Sequence, residues 1–137
     1  CMKLPKLKNK AFTIDLGVYP FTVFVCFGDV SNLRKQLESY KYKIHEEDIT
    51  KLIDDVSEYI KNCSGKAIEI SNGNVILWFN TAYWKEEPCH YANTISHESL
   101  HCTEMILETI GMKLNRESSE AYCYLHGYIV EKIFEQI

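Results

Sequence analysis

Two apolar runs of β character open the chain. "AFTIDLG" and "FTVFVCFGD" are separated by Tyr19 and Pro20 and broken by Gly17 and Gly28, which predicts two neighbouring strands joined as a hairpin. The period then lengthens. "VSNLRKQLESYKY" carries Leu33 and Leu37 four apart, and "EEDITKLIDDVSEYIKNCSG" carries Ile49, Ile53, Val56 and Ile60 at helical spacing, ending at Ser64-Gly65. Two helices are expected there, the second strongly amphipathic. In "KAIEISNGNVILWFN", Ile68 and Ile70 precede Asn72-Gly73, the pair favoured in a type I′ turn, and Val75 to Phe79 follow it, so a β-hairpin is expected. From about Tyr91 to Ile110 the pattern is helical again, and Gly111 suits the left-handed position just past a helix end. The segment from about Ser118 to Ile137 sets Ala121, Leu125, Tyr128, Ile129 and Ile133 on one face, which predicts a terminal helix packed on the core.

Strands before and between helices in 137 residues predict one α+β domain over 11–137, preceded by a basic arm over 1–10. Cys1 in front of Met2 is expected to be a tag remnant, and the arm, with Lys3, Lys6, Lys8 and Lys10 around Pro5, a solvated extension. The net charge of −4 offers no cationic field to a phosphate backbone, so nucleic acid is not expected as a partner. The longest apolar run, "VYPFTVFVCF" at 18–27, is too short to cross a bilayer and contains Pro20 and Thr22. Neither a membrane partner nor export is expected, which points to a cytoplasmic location. Leaving out Cys1, the cysteines at 26, 63, 89, 102 and 123 are odd in number and show no repeating interval, so reduced thiols are expected.

The chemistry is concentrated in "TISHESLHCTEM", residues 94–105. On a helix His97 and His101 lie about 40° apart and one turn along the axis, so both imidazoles can converge on one ion, while Glu98, about 100° from His97, lies beside that ion without ligating it. Two neutral nitrogens to hold Zn²⁺ and a carboxylate to take a proton from an acidified water are what a zinc hydrolase requires. A third protein ligand and one open position complete such a site. Glu104, Glu108, Glu117, Glu120, His45, His90 and His126 are the candidates. Glu104 and Glu108 would lie farther along the same wall of the helix, whereas Glu117 and Glu120 sit at or near the start of a terminal helix that can fold back across it. A competing structural zinc site would use Cys123 and His126 with Cys89, His90 and Cys102. Against it, Cys102 is about 100° round the helix from His101, and no ligand pair recurs at a finger interval.

"HESLH", followed 19 positions after its second histidine by Glu120 in "RESSEAYCYLHGYIVEKI", resembles the gluzincin branch of zinc metallopeptidases in a minimal single-domain form, over roughly residues 66–137. The chain is also similar to small phage and bacterial proteins in which an "HE..H" helix is followed by "EAY". The resemblance implies a small zincin-like domain, with antiparallel strands and a hairpin preceding the His-Glu-x-x-His helix and a glutamate on the C-terminal helix. It implies one zinc per chain held by His97, His101 and Glu120; Glu117 remains a rival third ligand by position, with Glu120 favoured because it lies inside the helix beside the small Ala121. Glu98 would be the general base of peptide-bond hydrolysis by a metal-bound water, acting on a peptide or protein substrate. "NVILWFN" would be the edge strand that receives an extended peptide, and Trp78 and Trp84 would line that cleft or, the favoured reading, fill the core. Two positions depart from the family: Glu120 follows Ser119 instead of Asn, and position 124 is Tyr instead of Asp. Tyr124, about 40° from Glu120, would orient a ligand, stabilise an oxyanion or simply pack. The alternative is a catalytically silent or non-peptidase zinc-binding protein acting through protein–protein contacts; the intact Glu98 argues for an enzyme.

Overall fold

The computed structural model describes residues 9–59, 63–82 and 88–137. Its elements are β1 (Lys10–Asp15), β2 (Thr22–Phe27), α1 (Val30–Glu38), α2 (Glu46–Tyr59), β3 (Gly65–Glu69), β4 (Val75–Phe79), α3 (Pro88–Thr109) and α4 (Ser119–Glu135). The four strands form one sheet in the order β1-β2-β4-β3. β1–β2 and β3–β4 are antiparallel hairpins, and their inner strands, β2 and β4, pair in parallel. The fold is mixed α+β, and its centre is a parallel pair where the sequence suggested antiparallel strands alone.

β4 is therefore not the edge strand that "NVILWFN" suggested; the edges are β1 and β3. The reason lies in the burial pattern. Every residue of "VILWF" is buried and so are the last five of "TVFVCF", whereas β1 and β3 carry exposed positions. A run that is apolar at every position needs cover on both faces of a sheet. Val23, Val25, Phe27, Val75, Leu77 and Phe79 face one way, onto Ile95, Cys102 and Ile106 of α3 and Leu125, Ile129 and Ile133 of α4. Phe24, Cys26, Ile76 and Trp78 face the other way, onto Leu33, Leu37, Ile49, Leu52 and Val56. Trp78 is thus core, its indole Nε1 donating to the Gly28 carbonyl at 3.1 Å, while Trp84 lies outside the described residues.

Local chemistry sets the element ends. Asp29 caps α1 by accepting from the Asn32 amide. The β3–β4 turn is not type I′: only Gly73 has positive φ (81°), the Gly73 amide donates to Ile70 O and the Ile70 amide donates to Asn74 O, both at 3.0 Å. That is a three-residue loop with glycine at its left-handed position. Gly65 does not close α2 but begins β3. At the end of α3, Gly111 (φ 83°) donates to Glu108 O and Met112 to Leu107 O, each at 2.9 Å, the paired bonds of a Schellman cap. The buried face of α4 is Tyr122, Leu125, Ile129 and Ile133, so its phase differs slightly from the expected one: Tyr122 is in, and Tyr128 lies at the rim, donating from its hydroxyl to Asp15 O at 2.8 Å.

Candidate functional site

α3 packs against β3 and β4 on one flank and against α4 on the other. Its buried stripe runs through Ile95, Ser99, Cys102 and Ile106. His97, His101, Glu104 and Glu108 recur at helical spacing on the opposite side, facing solvent, with the side chains of His97 and His101 64% and 49% exposed. The two rings meet edge to face with centroids 4.9 Å apart, and their Nε2 atoms are 3.2 Å apart.

That separation fits one ion. Two nitrogens at about 2.0–2.1 Å from a tetrahedral zinc stand about 3.3 Å from each other, so the pair already has the spacing of two ligands of one metal. Glu98 stands beside it, with Oε1 4.0 Å from His97 Nε2. In contrast to the histidines, only 11% of the Glu98 side chain is exposed. Its stem lies over Gly65, where a built Cβ would come within 3.1 Å of Glu98 Cγ and 3.2 Å of both Thr94 Cγ2 and Phe79 Cδ1. The missing side chain at the start of β3 is what lets α3 settle this deeply. Glu104 approaches from the other side of the pair, with Oε2 3.7 Å from His101 Nδ1.

The third-ligand candidates sit elsewhere. Glu120 is in the first turn of α4 and exposed, about 180° around the helix from the centre of its buried face. Tyr124, one turn on, is 76% exposed on the same side, where it lines an open groove of about 750 Å³ between α4 and the β1–β2 loop. Glu117 is exposed in the α3–α4 connection, its amide donating to Asn115 Oδ1 at 2.9 Å. Among the described residues no three His, Cys, Asp or Glu side chains gather closely enough to hold a metal ion, so the structure brings together His97, His101 and Glu98 but brings neither Glu120 nor Glu117 to them. Nor do Cys102, Cys123 and His126 form a cluster: Cys102 is buried, Cys123 is exposed, and His126 Nε2 lies 3.0 Å from the Ser96 carbonyl oxygen.

Three further features bear on α3, one of them, His126, already named as a candidate third ligand. His126 reaches α3 one residue before His97, a placement its spacing from Tyr122 and Ile129 already encodes. Tyr122 is held near the acidic stripe of α3. Burial, and after it the carboxylates of Glu108 and Glu104, push its phenol above the ordinary value. The close approach at Gly65 left no sequence signal, because glycine there reads equally well as a breaker. No family model matches the chain, and neither a curated protein nor a solved structure matches it.

Proposed function

We propose that this chain is a zinc-dependent hydrolase of peptide (amide) bonds with a zincin-like active-site helix. His97 and His101 hold the metal in this reading, and Glu98 is the general base. The observation that carries it is the 3.2 Å approach of the two Nε2 atoms with a nearly buried carboxylate 4.0 Å from one of them. When bound, zinc supplies a water acidified toward neutral pH and a Lewis acid for the substrate carbonyl.

Glu98 would serve as the general base, taking up a proton at Oε1 and returning it to the leaving nitrogen. The Glu98 stem lies against Gly65, where a built Cβ would stand 3.1 Å from its Cγ, and only 11% of the side chain is exposed, which restricts where the carboxylate can go. β3 is the open strand nearest α3, and an extended peptide added to its edge would run past Glu98 by backbone pairing alone. Glu120 stands as third ligand on the family resemblance, Glu117 as its rival on its place before the terminal helix, and Tyr124, where the family has Asp, as a group that would orient a ligand or stabilise an oxyanion. The solvent exposure of the histidine pair favours a second reading, a zinc-binding protein that does not hydrolyse.

Zinc per chain, measured after purification without chelator and after zinc is offered at neutral pH, tests the site in the parent and in His97→Ala, Glu120→Ala and Glu117→Ala. The parent is expected to hold one zinc and His97→Ala none, and the glutamate variant that loses metal names the third ligand. With a peptide library as substrate, Glu98→Gln is expected to keep zinc and lose roughly 10²–10⁴-fold in turnover. A parent that takes up no zinc ends the proposal. A zinc-loaded parent that cleaves nothing supports the second reading.

A further inference from the structure

Resting on that zinc reading, we propose that Glu104 is a positioning residue for His101: its carboxylate holds the imidazole in the Nδ1–H tautomer and so leaves the Nε2 lone pair aimed at the point shared with His97. The argument turns on which nitrogen each carboxylate faces. Glu98 Oε1 lies on the Nε2 side of His97, beside the shared point, where a proton acceptor for water belongs. Glu104 Oε2 lies 3.7 Å from Nδ1 of His101, on the far side of the ring from its Nε2. While it keeps that contact, Glu104 does not reach the ion, so two glutamates on one helix take two different roles.

A neutral imidazole has one N–H donor and one acceptor nitrogen, and the partner of one nitrogen decides the state of the other. An ionised carboxylate only accepts. A lone pair on Nδ1 facing it would be repelled, whereas an N–H is attracted, so the proton belongs on Nδ1 of His101. The distance of 3.7 Å is longer than a hydrogen bond, so in the metal-free chain the carboxylate acts on the Nδ1 proton by its charge at close range. The pair is then asymmetric. In the metal-free chain the 3.2 Å Nε2···Nε2 contact needs one donor, and with His101 accepting, that donor is Nε2–H of His97. Binding a metal therefore requires His97, but not His101, to move its proton to Nδ1. Metal-ligating histidines commonly donate their second N–H to a carboxylate, whose removal weakens metal binding about 10–100-fold.

The test is a two-bond ¹H–¹⁵N correlation of the imidazoles, which reads the proton position on each ring directly. It uses the metal-free parent, Glu104→Gln and Glu104→Ala, followed by zinc affinity from competition with a chelating dye. The parent is expected to show His101 as Nδ1–H and His97 as Nε2–H. In Glu104→Ala the His101 tautomers mix and zinc affinity falls about 10–100-fold, whereas Glu104→Gln, whose amide oxygen still accepts, retains the Nδ1–H form and most of the affinity. His101 as Nε2–H in the parent overturns the proposal, and so does a Glu104→Ala variant with unchanged tautomer and unchanged affinity. Because the tautomer is read without metal, a parent that shows it yet takes up no zinc overturns the hydrolase reading while keeping the Glu104–His101 pairing.

Discussion

A single methyl group added at Gly65 tests whether close approach of β3 and α3 sets the Glu98 side chain. The backbone there is outside the left-handed region, so alanine is tolerated conformationally and the whole effect is one of space. The new Cβ meets Glu98 Cγ at 3.1 Å, Phe79 Cδ1 at 3.2 Å and Thr94 Cγ2 at 3.2 Å. Phe79 cannot yield, being fully buried and stacked on Phe27 with ring centroids 5.0 Å apart. Overpacking of this kind costs about 1–3 kcal/mol, and the stiffer unfolded chain returns about 0.4–1 kcal/mol. A net loss of about 1–2 kcal/mol remains, which at a urea m-value of roughly 2 kcal/mol/M lowers the unfolding midpoint by about 0.5–1 M. Gly127→Ala is the matched control. That position is in α4 with no atom within 4 Å of a built Cβ, so helix propensity alone acts, adding about 0.8–1 kcal/mol and raising the midpoint. Because Glu98 is no ligand in the proposed site, Gly65→Ala also keeps its zinc while turnover falls. A Gly65→Ala midpoint at or above that of the parent refutes the close-packing argument.

Asp29 links stability to pH. A hydrogen bond from Ser31, helped by others from Asn32, holds its carboxyl below the ordinary value in the folded chain. The unfolded carboxyl titrates near 3.9, so the contribution is complete above about pH 4 and is lost as pH falls through the folded value. Asp29→Ala should cost about 1 kcal/mol at neutral pH, and urea titrations of parent and variant should converge on acidification; a constant gap down to about pH 2 refutes the assignment. Thiol accessibility gives a second check. Burial pushes the Cys26 thiol up to about 12 and raises Cys102 as well, whereas Cys123 is exposed on α4. A thiol-reactive dye should label Cys123 in the native chain and reach Cys26 and Cys102 only on unfolding; peptide mapping that finds Cys26 or Cys102 labelled at the rate of Cys123 contradicts the packing.

Much of the fold was legible because local chemistry and global packing agree. Leu33 and Leu37, the Ile49-to-Val56 spacing, Asn72-Gly73 and Gly111 each mark an element that the structure contains. The place of β4 was misread, although its signal was present: five successive buried residues with no alternation mean an interior strand. The phase of α4 was misjudged through Ala121 and Tyr128, whose apolar character suited either side of the boundary. Fixing the phase by Leu125, Ile129 and Ile133 alone puts Glu120 opposite the core. The histidine pair needed only helical spacing to be seen. The Glu104 contact with His101 is an i,i+3 pair that helical spacing already sets side by side, whereas the Gly65 contact beneath Glu98 depends on strand-to-helix distance, which no spacing rule encodes.

The parallel seam between β2 and β4 has a consequence in time. Val23 pairs with Val75, 52 positions along the chain, whereas the β3–β4 hairpin closes over three residues. By loop-closure entropy alone the seam costs about 2.5 kcal/mol more to form than that hairpin, and non-local pairings of this kind are what slow folding. His97, Glu98, His101, Glu104 and Gly65 all belong to β3 and α3, a stretch of sequence that lies wholly on one side of the seam. The histidine pair and its two carboxylates therefore belong to elements close in the chain, and loop-closure entropy predicts that the two hairpins zip together after each has formed.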